Sequence, residues 1–273
     1  MPARSRLGQN FLHDAQAVQR IAQALGPSAG RTVVEIGPGR GAITRILAAR
    51  SAQLLAIELD PELATQLRAE LPAENLTVLT QDVLQFDFAA AAAEAGQPLL
   101  VAGNLPYYIT SPILLRLAAA HASLERAVLM VQREVADRVT AQPGGRDYGL
   151  LSATVQLYGP VELLFTLPPE AFSPPPKVHS AVFRWRFAPR SAELGVPDKL
   201  FLDFLRVLFA QKRKTLVNNL RAAGYAAPAI AAALAHASIP VQARAETLAL
   251  EHFAALWHAL HAEGAASITE AAP

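Results

Sequence analysis

Hydrophobic and polar residues alternate along this chain with two different periods, and the change of period marks its elements. From Asp14 to Leu25 the apolar positions are Val18, Ile21, Ala22 and Leu25, the spacing of one helix face. A repeating strand–helix order follows. "TVVEIG" has the character of a short buried strand, and "AITRILAA" of the helix behind it. "LLAIEL" leads into "PELATQLRAEL", where Asp60 takes the N-cap and Pro61 the first helical position. "LTVLTQD" and "PLLVAG" supply a third and a fourth strand; the helix after the latter is expected to be capped by Ser111, with Pro112 just inside it. "AVLMVQ" makes a fifth. Strands separated by helices imply a parallel sheet covered on both faces.

Later the pattern changes. "VELLFTL" and "VHSAVFRWRF" are both strand-like, and Ala181, Phe183, Trp185 and Phe187 alternate onto one face. Without long helices between them, these strands suggest an antiparallel edge. "APRSAELGVP" reads as a linker. Beyond it Leu200, Phe201, Phe204, Leu205 and Leu208 form one helical stripe, and Leu248, Phe253, Leu256, Trp257 and Leu260 belong to another. "APAIAAALAHA" is a packing helix in its simplest reading, and no internal repeat is visible. The expected fold class is α/β: a mostly parallel sheet with an antiparallel edge, plus a small all-helical C-terminal domain. The boundaries are an N-terminal segment over 1–30, a sheet domain over 31–190, a helical domain over 197–264 and a frayed tail over 265–273.

Composition narrows the class. Of 273 residues 52% are hydrophobic and 17% charged, which describes a globular protein able to bury a sizeable core. Cysteine is absent, which excludes disulfides and thiolate metal sites, and the seven histidines form no metal-ligand pattern. No apolar run approaches the roughly 18 residues that span a bilayer. The opening "MPARSRLGQNFLHDAQ" carries two arginines but no apolar signal-peptide core. A cytoplasmic protein with no membrane partner and no metal is the expectation. Net charge is only +1, yet the charges are unevenly spread. Phe204 to Ala245 contains no acid, while Lys212, Arg213, Lys214 and Arg221 crowd around "QKRKTL". A second acid-free stretch from Ala171 to Ala192 holds Lys177, Arg184 and Arg186. Either run alone is most simply a solvated face; two together favour nucleic acid.

Chemistry gathers where strands end. Gly37, Gly39 and Gly41 stand at the turn from the first strand into its helix, where glycine lets backbone approach a ligand. The spacing is G-x-G-x-G, not the dinucleotide G-x-G-x-x-G, and Pro38 and Arg40 suit a cradled pyrophosphate poorly. A cofactor without phosphates fits better. Glu58 ends the second strand, where acids accept from ribose hydroxyls, and Asp82 ends the third. Singly, each acid reads as a helix cap or a loop charge. Three such features at the carboxyl ends of successive strands point instead to a ligand site. A fourth strand ends in "NLPYYIT".

These residues resemble the class I S-adenosylmethionine-dependent methyltransferases, and more closely the rRNA adenine N6-dimethyltransferases. The resemblance runs through "GQNFL" (8–12), "VEIGPGRGAIT" (34–44), "IELD" (57–60), "QDVLQFD" (81–87) and "NLPYYIT" (104–110). It continues in "FSPPPKVHSAV" (172–182), "QKRKTLVNNL" (211–220) and "RAETL" (244–248), and is strongest to the bacterial small-subunit branch. It implies a Rossmann-like sheet with S-adenosyl-L-methionine as cofactor. Its contacts would be Asn10 and Leu12, Gly37 with Gly39, Glu58 on the ribose hydroxyls and Asp82 on the adenine amine. Asn104 would lie beside the reacting methyl. On the substrate side, the Asn104 side-chain oxygen and the carbonyl of Leu105 or Pro106 would accept from the target amine. Tyr107 would offer its face to the base. Phe172 is either a second stacking ring or a core anchor, and Tyr108, where the family more usually has a polar residue, suits core packing better than stacking. The implied reaction is dimethylation of two adjacent adenosines near the 3′ end of 16S rRNA in a small-subunit particle, by a monomer. Alternatives are the large-subunit, antibiotic-resistance type of enzyme and a non-catalytic RNA-binding factor on the same fold.

Overall fold

The computed structural model describes residues 10–261. The tail expected at 265–273 lies outside them, as do residues 1–9. Two compact units divide the chain: one takes it up to Thr140 and again over Tyr158–Pro189, the other takes Ala141–Leu157 and everything from Arg190.

The first unit is built on strands β1 (Phe11–Leu12), β2 (Thr32–Ile36), β3 (Gln53–Glu58), β4 (Leu76–Thr80), β5 (Leu99–Asn104), β6 (Leu124–Gln132), β7 (Val161–Leu167), β8 (Phe172–Ser173) and β9 (Ser180–Arg186). Seven of them form one sheet in the order β4-β3-β2-β5-β6-β9-β7. β2 to β6 run parallel, and β9 is antiparallel to both its neighbours. Every residue of β2 and five of the six in β5 are buried, which requires cover on both faces. The helices here are α1 (Ala15–Ala24), α2 (Thr44–Ala48), α3 (Pro61–Glu70), α4 (Phe88–Ala95), α5 (Thr110–Ala119) and α6 (Arg133–Thr140). Val18 and Ile21 of α1, with Leu25 just after it, share a buried cluster with Val33, Leu54 and Leu100, so the α1 segment belongs to this unit's core.

Asp14 and Asp60 cap α1 and α3 by accepting backbone N–H bonds. Ser111 does not cap α5. A 3₁₀ turn over Tyr107–Ile109 runs straight into the helix, which begins at Thr110. Ile109 donates its N–H, and Thr110 its hydroxyl, to the Pro106 carbonyl.

The second unit contains α7 (Leu150–Leu157), α8 (Ser191–Leu194), α9 (Asp198–Leu208), α10 (Leu216–Ala222), α11 (Ala227–His236) and α12 (Leu250–His261). Residues 141–157 thus leave the sheet domain expected over 31–190, and the linker "APRSAELGVP" contains the short α8. Phe201, Phe204, Leu205 and Leu208 of α9 are buried, but Leu200, one position off that stripe, is 57% exposed. Of the basic run, Arg221 lies in the last turn of α10, and the other three cations precede that helix. Lys212 and Arg213 lie in a turn between α9 and α10, Lys214 N–H donates to the Gln211 carbonyl, and Lys212 to Lys214 are all exposed. Asn219, 3% exposed on α10, donates its amide to the Leu208 carbonyl at 2.6 Å and so ties off the end of α9 just before that turn. Replacing it leaves a buried carbonyl unpaired. Asn219→Ala should therefore lower stability by about 1–3 kcal/mol, read as a lower urea midpoint; an unchanged midpoint would remove this bond as the support of the basic turn.

Candidate active site

β2, β3 and β4 step one way across the sheet, while β5 starts on the other side of β2. Such a switch point opens a crevice beyond the carboxyl ends of the strands. An open cleft of about 710 Å³ lies there, with Gly37, Glu58, Asn104 and Tyr107 among its walls and residues 10–12 on one side. Gly37 has φ +67°, and a side chain on it would meet the Asn104 carbonyl at 3.3 Å. Gly39, at φ +56°, leaves room for the Phe11 ring, which a Cβ would meet at 3.0 Å. The Arg40 guanidinium stands over the same ring, 4.4 Å from its centre, and holds the N-terminal segment against the glycine loop.

Glu58 is 6% exposed, and both its carboxyl oxygens are engaged. One accepts from Gly39 N–H at 3.1 Å and the other from Asp60 N–H at 3.0 Å. Burial pushes its pKa up, and those backbone donors pull part of the way back. Asp82 caps the 3₁₀ turn Val83–Gln85 through Oδ1, which accepts from Leu84 N–H at 2.9 Å. The same residue lines a smaller cleft of about 320 Å³, so capping and facing a ligand site are compatible here.

Glu35 is a site residue that the sequence reading did not assign. It sits one position from the end of β2, is 1% exposed and lines the larger cleft. Burial pushes its carboxyl up to about 8; nearby Thr44 lowers it and Glu58 raises it further. Even so, Glu35 Oε2 and Thr44 Oγ1 both lack a hydrogen bond of ordinary geometry. An acid in an otherwise apolar strand, "TVVEI", was the available signal.

The "NLPY" corner is held from several sides. Asn104 donates its amide N–H to the Asn10 carbonyl at 3.0 Å, which turns Oδ1 away as an acceptor. Leu105 N–H donates to the Met130 carbonyl at 2.9 Å, and its side chain is buried. The Pro106 carbonyl already accepts from Ile109 and Thr110, whereas nothing among the described residues donates to that of Leu105. Tyr107 is half-buried, and its hydroxyl is 2.8 Å from that of the buried Ser180.

Other expected residues fall elsewhere. Phe172 is 2% exposed and packed in the same cluster as Leu12, which it faces across the β1–β8 ladder. The core-anchor reading describes it, and its ring has no free face to stack on a base. Tyr108 is 54% exposed, so it does not pack in the core. Arg186 pairs with Arg126 at the start of β6, and Arg184 with Val128, whereas Ser180 pairs with Gln132 at the ligand edge. Arg186 therefore lies toward the far edge of the sheet and Arg184 at its middle, where it is ion-paired with Glu162. Lys177 is exposed three residues before β9.

Residues 2–261 match the family model described as ribosomal RNA adenine dimethylase. The chain belongs to that family. It is 58% identical to a "Ribosomal RNA small subunit methyltransferase A" of Acidobacterium capsulatum, over 93% of this chain and 90% of the relative. A protein of the same description from Koribacter versatilis is 49% identical, with 94% of each covered. Among solved structures, the 23S rRNA methyltransferase ErmE superposes with a TM-score of 0.69 at 29% identity, covering 92% of this chain and 99% of that one. A dimethyladenosine transferase from Plasmodium falciparum gives a TM-score of 0.74 at 22% identity, over 90% and 95% of the two chains, and agrees in fold.

This dimethyltransferase takes its methyl group from S-adenosylmethionine. The cofactor carries a sulfonium and an ammonium, and the site fits such a cation: the buried Oε2 of Glu35 has no protein partner. A glycine loop without a phosphate cradle fits as well. No helix among the described residues is long and apolar enough to cross a membrane.

Glu35 makes a pH signature. Its folded pKa of about 8 lies above the ordinary 4.5. The stability it contributes is thus full below about pH 4.5 and lost as pH rises through 8, because the folded chain keeps a proton that the unfolded chain has released. Glu35→Gln should flatten this decline in the ligand-free protein. Melting curves of both proteins at pH 5 to 9 check it; parallel pH profiles would show that another group titrates.

Proposed function

We propose that the enzyme dimethylates N6 of two adjacent adenosines near the 3′ end of 16S rRNA within a small-subunit particle. The observation that carries this reading is the disposition of the "NLPY" acceptors. Asn104 spends its donor on the Asn10 carbonyl, and Pro106 spends its carbonyl on Thr110 and Ile109. Asn104 Oδ1 and the Leu105 carbonyl remain to take the two N–H groups of an exocyclic amine. The sequence left open whether Leu105 or Pro106 provides the second acceptor; this pattern favours Leu105.

The chemistry follows. The adenine amine is a weak nucleophile because its lone pair is delocalised into the ring. Two fixed acceptors draw its hydrogens out of the ring plane and leave the lone pair directed at the methyl group. The cofactor, when bound, supplies an activated methyl on sulfonium, and in-line positioning is worth about 7–11 kcal/mol of barrier. Methylation makes the amine acidic, so its proton passes to water without a dedicated base. The Tyr107 ring, steadied by Ser180, gives the extruded base a face on which to stack. On the cofactor side, Glu35 takes the ammonium, Glu58 the ribose hydroxyls and Asp82 the adenine amine. Asn10, Leu12, Gly37 and Gly39 shape the rest of the cleft.

High identity to proteins described as small-subunit methyltransferases, against 29% to a 23S enzyme, favours the small subunit over the resistance-type target. In this reading the enzyme works in the cytoplasm as a monomer. Lys212, Arg213, Lys214 and Arg221 are exposed, and among the described residues none of them forms an ion pair, which suits them to rRNA phosphates. Lys177, exposed just before β9, is a further candidate for a phosphate contact.

Two experiments test the proposal. In a strain lacking the gene, wild-type protein should restore dimethyladenosine in 16S rRNA by mass spectrometry. Asn104→Ala should fall at least about a hundredfold short in single-turnover transfer; wild-type rates would remove the acceptor mechanism, and restored methylation in 23S rRNA the target. For the basic turn, the Arg213→Ala/Lys214→Ala double variant should bind small-subunit particles more weakly. Its log–log salt slope should be flatter by about 0.7–0.9 per lost cation. Equal affinity and slope would leave this turn merely solvated.

A further inference from the structure

Two adjacent tyrosines part company at the end of β5. Successive side chains in a 3₁₀ turn point about 120° apart. Within the turn Tyr107–Ile109, Tyr107 accordingly faces the larger cleft and Tyr108 the smaller one. Opposite Tyr108 the smaller cleft presents Glu58, Leu59, Asp82 and Val83, the residues that end β3 and follow β4. Gly37, Glu58 and Pro106 line both clefts, which therefore adjoin. Tyr108 is 54% and Leu59 47% exposed, so two apolar groups stand half-uncovered at the mouth. Burial, then the carboxylates of Asp82 and Glu58, push the Tyr108 hydroxyl pKa up, as expected of a phenol close to both acids.

The occupant of this cleft has to be flat, rich in hydrogen-bond donors and free of phosphate. Two carboxyl groups at its wall repel the RNA backbone but accept readily from ribose hydroxyls and an amino group. We propose that Tyr108 is a positioning residue that closes the smaller cleft over the adenosine part of the cofactor. It thereby slows departure of the cofactor and of its demethylated product. This inference rests on the reading of Asp82 and Glu58 as adenosine acceptors. The exposed aromatic has a use here: its apolar surface is covered when the ligand is in place, and covering it favours binding.

The test is calorimetric titration of the full chain with S-adenosylhomocysteine, together with its dissociation rate by competition. Tyr108→Ala should weaken binding about tenfold, almost entirely through faster dissociation. Tyr108→Phe should stay within about twofold of wild type, since the ring and not the hydroxyl covers the ligand. Unchanged affinity in a Tyr108→Ala protein of wild-type melting temperature overturns the inference, as does a loss confined to binding of small-subunit particles. Asp82→Ala run in parallel separates the two levels. If it loses affinity while Tyr108→Ala does not, only the role of Tyr108 fails. If neither loses affinity, the adenosine reading of the smaller cleft fails as well.

Discussion

The parallel ladder between β2 and β5 is the contact on which the rest of the site depends. Ile36 sits opposite Gly103, so the glycine loop after one strand and the "NLPY" corner after the other leave the sheet side by side. The two backbones come close enough there that Gly37 has no room for a side chain beside the Asn104 carbonyl. Methyl transfer asks for two reactants at fixed separation, and a ladder of backbone hydrogen bonds between buried strands is among the stiffest ways to supply it. Glu58, a further wall of the cleft, is one strand further out, and Gly37 N–H donates to the carbonyl of the adjacent Ile57 at 2.9 Å.

Around that ladder the polar groups are deliberately incomplete. Glu35 is buried without a partner for Oε2, next to a second buried acid. In a structural core this would be a defect, since an isolated carboxyl in an apolar setting is costly. One position from the end of a central strand, on the wall of an open cleft, it is the group that the proposed function assigns to the cofactor's ammonium. In that reading, stability of the empty protein and affinity for the cofactor are set against each other at one residue.

Much of this was legible in the sequence, because fully apolar runs bounded by turn residues mark buried parallel strands with little ambiguity. The ends of those runs then carried Gly37, Glu58, Asp82 and Asn104 to one edge. What escaped had a physical reason in each case. α7 is buried on nearly every face, so it has no polar side to give it a helical period, and its membership of the second unit is a long-range fact. Arg184 and Arg186 read as part of a basic run, but only the antiparallel register of β9 shows that they run away from the ligand edge, to the middle of β6 and beyond. Tyr107 and Tyr108 are indistinguishable as letters; the 3₁₀ turn separates them. Ser180, which steadies Tyr107, is an ordinary serine until β9 brings it across.

The small β1–β8 ladder has a consequence for how the molecule is made. It pairs Leu12 with Phe172 and Phe11 with Ser173, and His13 N–H adds a bond to the Ala171 carbonyl. One side of the cofactor cleft therefore consists of the earliest described residues of the chain, held by a strand that leaves the ribosome long after them. Closing so large a loop is slow. The growing chain can complete its parallel strands well before it can fasten this seam. Until the later strand arrives, the nascent protein carries an unfinished cleft, and methyl-donor binding becomes a property of a nearly full-length sheet unit.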